Sequence, residues 1–187
     1  MKSVAVYLGS ATGNDPKFIS LAKEFARKMA GNGISIVYGG ASVGMMGALA
    51  EEAIASGGEI IGVFPKGFRG KREVAEKHIP LIQDRITRMV EVKDFGERKQ
   101  VMEDLSDCAV ALPGGAGTMD EIFCYIVGNE IGRHDKKAYF LNLDGYYDGI
   151  RMLIDSMTSN ALLARADEMI VFCDSVDDFL ERIKSSE

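Results

Sequence analysis

Ala109-Val110-Ala111-Leu112-Pro113-Gly114-Gly115-Ala116-Gly117-Thr118-Met119-Asp120-Glu121 is the stretch on which the fold turns. Its apolar run reads as a buried strand, and the glycines and carboxylates behind it read as a tight turn opening a helix. A glycine-rich turn between strand and helix lets backbone N–H groups close around an anion, and the helix N-terminus adds partial positive charge. Thr118 is placed to cap the helix or to donate its hydroxyl to a phosphate. Asp120 and Glu121 then fall in the first helical turn, where carboxylates complement the dipole. The same residues also suit a plain turn with a well-capped helix, so the rest of the chain must decide.

Outward from this stretch the pattern repeats. Ser3 to Gly9 is β-rich and precedes the polar turn Ser10 to Asp15; a helix then opens at Asp15-Pro16, with Phe18, Leu21, Ala22, Phe25, Ala26 and Met29 at helical spacing. Gly31-Asn32-Gly33 stops it. Ile34 to Tyr38 is a second strand, followed by another glycine-rich turn, Gly39-Gly40-Ala41-Ser42-Val43-Gly44-Met45-Met46-Gly47, and a helix over Ala48 to Ala55. Glu59 to Phe64 is a third strand. Residues 68–87 are charged and irregular and read as a flap or a loop with a short helix. Met89 to Val92 reads as a strand, and a helix from Phe95 leads to the central strand Asp107 to Leu112. Ala138 to Leu143, a helix from Tyr146 through Met157, Met169 to Cys173 and a helix over Ser175 to Lys184 complete the chain. Strands alternating with helices imply right-handed βαβ units. The expectation is an α/β, Rossmann-like, doubly wound and mostly parallel sheet with helices on both faces, forming one domain over 1–187. Ligands of such sheets bind outside the strands' carboxyl ends where the strand order reverses, so both glycine turns should face one crevice.

Composition narrows the function. The chain has 187 residues and a formal net charge of -6, which disfavours a nucleic-acid surface while leaving local phosphate binding open. Cys108, Cys124 and Cys173 are widely spaced, lie in apolar stretches and read as reduced core residues. Met1 is followed at once by Lys2 and a strand, leaving no room for a signal peptide, and no apolar run suits a membrane span. A cytoplasmic protein is expected. Neither glycine turn has G-x-G-x-x-G spacing with a ribose-binding acid, and no Walker A lysine follows either one. A mononucleotide or sugar-phosphate cradle remains. Glu97-Arg98-Lys99 adds cations near it, with Arg98 suited to fork onto a phosphate or a carboxylate. An isolated triplet of this kind is commonly a solvated helix face, and Glu121 a common helix-start acid. Together on one crevice they suit a glycosidic bond, one carboxylate stabilising an oxocarbenium-like sugar or activating water.

The combination of Tyr38 to Gly47, Glu97-Arg98-Lys99 and Pro113 to Glu121 resembles the Lonely Guy family, the cytokinin riboside 5′-monophosphate phosphoribohydrolases often labelled lysine decarboxylases. Leu8-Gly9-Ser10, Gly62 to Lys66, His134 to Lys137 and Leu143-Asp144-Gly145-Tyr146-Tyr147 extend the resemblance over nearly the whole chain. It implies hydrolysis of the N-glycosidic bond of an adenosine 5′-monophosphate-type nucleotide, giving ribose 5-phosphate and an adenine-type base. Arg98 and Glu121 match the family's catalytic pair. Gly114, Gly115, Gly117 and Thr118 match its phosphate loop, and Lys99 and Asp120 match nucleotide-contacting positions. Gly9, Ser10, Gly39, Gly40, Gly44, Met45, Ala116 and Met119 complete the implied substrate-binding set. A homodimer is implied, with Met45, Met46, Met89 and Met102 weighed as interface or core; no metal and no organic cofactor is. The chain departs from the family at Phe95-Gly96, where Met-His is usual, at Ala116 in place of tyrosine, and at Asp120 in place of glutamate. Residues 68–87 are longer than in plant members, and Glu73 aligns there with a substrate-contacting glutamate. A rival class is the non-catalytic nucleotide or molybdenum-cofactor carrier with the same cradle. A decarboxylase would need a Schiff-base lysine, which no local context singles out.

Overall fold

β1 (Ser3–Tyr7) sits at the centre of the sheet, hydrogen-bonded on one side to β2 (Ser35–Tyr38) and on the other to β5 (Cys108–Ala111). The computed structural model describes residues 1–66 and 85–185. Between these strands lie α1 (Lys17–Gly31), α2 (Gly44–Ala55), β3 (Ile60–Pro65), β4 (Arg88–Val92) and α3 (Phe95–Asp104). After β5 come α4 (Ala116–Glu130), β6 (Ala138–Leu141), a 3-10 turn (Leu143–Gly145), α5 (Asp148–Ser159), α6 (Ala166–Met169), β7 (Ile170–Cys173) and α7 (Val176–Lys184). The strand order is β4-β3-β2-β1-β5-β6-β7, and every neighbouring pair is parallel. The expected doubly wound sheet is therefore present, and it is wholly rather than mostly parallel. The chain moves outward from β1 in one direction, then returns to β5 on its other side. That reversal places a crevice beyond Tyr7 and Ala111, paired partners at the strand ends.

Side-chain alternation divides the core into two layers. Val4, Val6, Leu8, Cys108, Val110 and Leu112 face α1, α2 and α7, packing with Phe25, Leu49 and Phe179. Ala5, Tyr7, Ala109 and Ala111 face the other way, toward Met102 of α3, Ile122 and Tyr125 of α4 and Ile154 of α5. Each large side chain buried in this way contributes about 1.5–3 kcal/mol.

Helix boundaries differ from the sequence reading where glycine and alanine hide the periodic signal. α2 starts at Gly44 rather than Ala48, and α4 at Ala116 with Gly115 as its extended N-cap. Thr118 is thus inside the helix rather than capping it, and Asp120 and Glu121 lie beyond the first turn. Tyr146-Tyr147 does not open a helix: the 3-10 turn precedes it, with Asp144 at φ 50°, and α5 begins at Asp148. The short α6 was not expected; it is entered through Arg165 in the left-handed conformation. Cys108 and Cys173 are buried as expected, but Cys124 is only half-buried. Met45, Met46 and Met102 are core residues, and Met89 is half-buried against the same core. Of the segment 68–87, only its end is described: Ile86 is buried, and Thr87 exchanges hydrogen bonds with Ile60 of β3. The flap reading and Glu73 lie outside the described residues.

Candidate active site

Three loops meet where the strand order reverses. They follow β1, β2 and β5, and glycines let them approach. The Gly9 amide donates to the Pro113 carbonyl at 3.2 Å. A Cβ on Gly9 would lie 3.5 Å from the Met45 sulfur and 3.6 Å from the Gly114 Cα. Gly44 has φ +58°, and a Cβ there would run into the Ser10 carbonyl. Gly114 has no room for a side chain because the Thr118 side chain already occupies that space. Gly9, Ser10, Gly44, Met45, Gly114 and Thr118 are therefore brought together. Gly40 instead packs on Phe64 of β3, and Met119 leans on the α3–α4 side of the core.

α4 carries no side-chain cap on its N-terminus. Gly115, Ala116 and Gly117 are exposed there, between buried Pro113 and buried Thr118. A Cβ on Gly115 or Gly117 would meet nothing within 4 Å. This is an open helix N-terminus at the sheet's switch point, the arrangement that favours an anion.

Arg98 of α3 and Glu121 of α4 form an ion pair beside it, joined through Nη2 and Oε1. Their side chains are only 13% and 6% exposed. Burial pushes the Glu121 carboxyl above the usual carboxylate range, while the Arg98 charge opposes the shift. Buried Tyr7 lies near enough to feel Glu121, and its phenol is held well above its ordinary range, first by burial. The Arg98 guanidinium stacks over the Phe95 ring at 4.8 Å, and its Nη1 approaches Gly39, where a Cβ would lie 3.4 Å away. Its Nε is buried with no hydrogen-bond partner among the described residues. Phe95, a departure from the family pattern, thus acquires a physical role.

Lys99 and Asp120 are brought to each other. Lys99 Nζ reaches both Asp120 carboxylate oxygens at 2.9 Å and the Cys124 sulfur at 3.1 Å. They line a groove of about 420 Å³ between α3 and α4, together with Phe123, Val127 and Ile131. Asp120 raises the Lys99 pKa against the opposing effect of burial.

A second bridge ties the far end of α3 to the loop that follows α4. Buried Glu103 of α3 accepts from Arg133 Nε at 2.9 Å and from Arg133 Nη2, and His134 Nε2 lies 3.7 Å away. Lys136 Nζ donates to the Glu103 carbonyl at 2.7 Å, and Gly128 leaves the room these groups occupy. Sequence reasoning missed this bridge, as it missed Tyr7 and the hydroxyls of Tyr146 and Tyr147. The quoted Leu143 to Tyr147 motif was the available signal for the last two. No group of three or more His, Cys, Asp or Glu suited to a metal occurs among the described residues, nor any helix long and apolar enough to cross a membrane.

A family described as "Possible lysine decarboxylase" matches residues 46–183. A cytokinin riboside 5′-monophosphate phosphoribohydrolase of Rhodococcoides fascians is 33% identical over 98% of this chain and 90% of its own length. The chain belongs to the Lonely Guy, lysine decarboxylase-like family. A probable enzyme of the same description from Arabidopsis thaliana is 34% identical over 91% of this chain and 81% of its own. Among solved structures, the molybdenum cofactor carrier protein of Chlamydomonas reinhardtii superposes with a TM-score of 0.70 at 18% identity, covering 98% of this chain and 96% of the carrier. The last likeness is one of fold.

Proposed function

We propose that this protein hydrolyses the N-glycosidic bond of adenosine 5′-monophosphate-type nucleotides, AMP or a cytokinin riboside 5′-monophosphate, releasing ribose 5-phosphate and the free base. The observation that carries the reading is the buried Arg98–Glu121 pair set beside the uncapped N-terminus of α4. The 5′-phosphate sits on the amides of Gly115 to Thr118. Glu121 lies five residues beyond Ala116, roughly 7 Å along the helix, about the length of a ribose 5-phosphate. Its carboxylate then faces the anomeric carbon, where it stabilises the oxocarbenium-like sugar or takes a proton from the attacking water. Arg98 holds Glu121 in place and steadies the departing base or the acid. Lys99 and Asp120 act at the rim of the nucleotide site, and the remaining loop residues shape it. The chemistry needs no metal and no organic cofactor. The formal net charge of -6 disfavours a nucleic-acid partner, and a cytoplasmic setting accompanies the reading.

A homodimer accompanies this reading. Val127 and Ile131 are exposed on the outer face of α4, with Phe123 on the same stripe, and this surface suits a second copy. A light-scattering mass of one chain would contradict it. A decarboxylase reading finds little support in Lys99, whose raised pKa keeps it protonated and a poor Schiff-base nucleophile. The carrier reading shares the fold, and a carrier needs no carboxylate beside the sugar.

Incubation with AMP, isopentenyladenosine 5′-monophosphate and adenosine separates the possibilities. Free base from a monophosphate but not from adenosine supports a phosphoribohydrolase, and the rate ratio names the preferred base. Binding without base release moves the assignment to a carrier.

A further inference from the structure

The loop from β5 to α4 has its carbonyls engaged and its amides free. Leu112 O accepts from the Tyr147 hydroxyl at 2.6 Å, Pro113 O from the Gly9 amide at 3.2 Å, and Gly114 O from the Tyr146 hydroxyl at 2.9 Å. Gly115 O accepts from the Met119 amide at 3.1 Å. By contrast, the amides of Gly114, Gly115, Ala116, Gly117 and Thr118 donate to no acceptor among the described residues. Carbonyl lone pairs turned toward an anion would repel it. Here four successive carbonyls have other partners, and what the loop retains is donors.

Two adjacent side chains supply two of those partners, which requires an unusual local backbone. Tyr147 is buried edge-on to Phe140, whereas Tyr146 is partly exposed and packs edge-on to Phe18 and to Tyr147, the two tyrosine rings at 89°. The 3-10 turn with Asp144 in the left-handed region sets this divergence. Asn142 fixes the turn by accepting from the Tyr147 amide at 2.6 Å and donating to Asp148 at 2.8 Å. Lys17 of α1 holds Asp144 at 2.9 Å.

We propose that Tyr146 and Tyr147 are positioning residues for the phosphate subsite, clamping the loop by its Gly114 and Leu112 carbonyls so that its amides are presented to the ligand. The proposal rests on the reading above, that this loop takes the 5′-phosphate of a nucleotide. Tyr146 gives the cleaner test, because removing one hydroxyl from a partly exposed ring leaves its packing intact.

Ribose 5-phosphate binding is measured by calorimetry on the unaltered chain, on Tyr146→Phe and on Tyr147→Phe, with Tm recorded for each. Tyr146→Phe is expected to weaken binding about fivefold, the size of one lost hydrogen bond, with an unchanged Tm. Tyr147→Phe should weaken binding similarly and lower Tm as well, since its hydroxyl is buried. Where AMP is turned over, Tyr146→Phe raises KM and leaves kcat unchanged. Equal affinities for Tyr146→Phe and the unaltered chain overturn the clamp, as does an affinity loss in Tyr146→Phe that is matched by a fall in its Tm. Because calorimetry reads binding alone, a chain that binds ribose 5-phosphate and responds to Tyr146→Phe without releasing base overturns the hydrolase and sustains the clamp. Failure of the unaltered chain to bind ribose 5-phosphate overturns both.

Discussion

The molecule contains two glycine-rich turns from strand to helix, and they do different work. In the turn after β2, Gly44 packs directly under the Ser10 carbonyl, and the Met45 amide at the start of α2 donates to Ala11 at 3.4 Å. That helix start is covered by the loop after β1. In the turn after β5, Gly115, Ala116 and Gly117 are exposed, and their amides have no acceptor among the described residues. Glycine in the first turn permits close packing between loops; in the second it leaves donors facing open space. Only the second turn keeps the free amides that an anion site needs.

The comparison can be broken most severely at the chemistry. Glu121→Ala is expected to reduce base release by at least about 100-fold while ribose 5-phosphate still binds, since the proposed site gives the phosphate to the amides and not to the carboxylate. A loss of both would merge two functions that the geometry keeps apart.

The next largest effect separates the turns by stability. Gly44→Ala combines a positive φ with a backbone clash and should cost about 2 kcal/mol or more, read by urea unfolding. Gly115→Ala has open space and should change stability by no more than about 0.5 kcal/mol. Similar costs at both positions would remove the distinction.

How much of this was legible in the residues follows from the same contrast. The strand and helix alternation could be read because periodic apolar residues such as Leu21, Phe25 and Met29 mark the buried faces. Arg98 and Glu121 could be named because they stand in recognisable motifs, and the structure joins them. The helix starts are hidden in the sequence because Gly44 to Gly47 and Ala116-Gly117 carry no periodic signal. Glu103 sits in a polar run and gives no sign of being buried; its partners Arg133 and His134 lie thirty residues away in sequence. Long-range polar pairing of this kind, like the Tyr146–Gly114 bond, is invisible to periodicity. The family resemblance points Lys99 and Asp120 at the nucleotide, while their mutual pairing in the α3–α4 groove is a tertiary fact.

The bridge from Glu103 to Arg133 and His134 carries its own response to acid. Burial lowers the His134 pKa below its ordinary 6.5, helped by Lys136 and Arg133 and opposed by Glu103 and Asp135. The unfolded chain therefore takes up the proton first as pH falls. Stability contributed by neutral His134 is present above about pH 6.5 and is lost progressively below it. Tm measured from pH 7.5 downward should fall through that window, and His134→Gln should flatten the slope. An unchanged slope would place the acid sensitivity elsewhere.

The smallest expected effect concerns base choice. Ala116 is exposed at the start of α4, where the family usually carries tyrosine. Ala116→Tyr is expected to shift the rate ratio between AMP and isopentenyladenosine 5′-monophosphate several-fold, with the phosphate loop intact. An unaltered ratio would show that the small residue does not widen the site.

The most direct measurement is a residue-resolved amide titration of the protein with ribose 5-phosphate. Saturable shifts are expected at Gly115, Ala116, Gly117 and Thr118, with Gly44, Met45 and Met46 unmoved. Shifts centred on Gly44 to Met46, with the second turn silent, would contradict it.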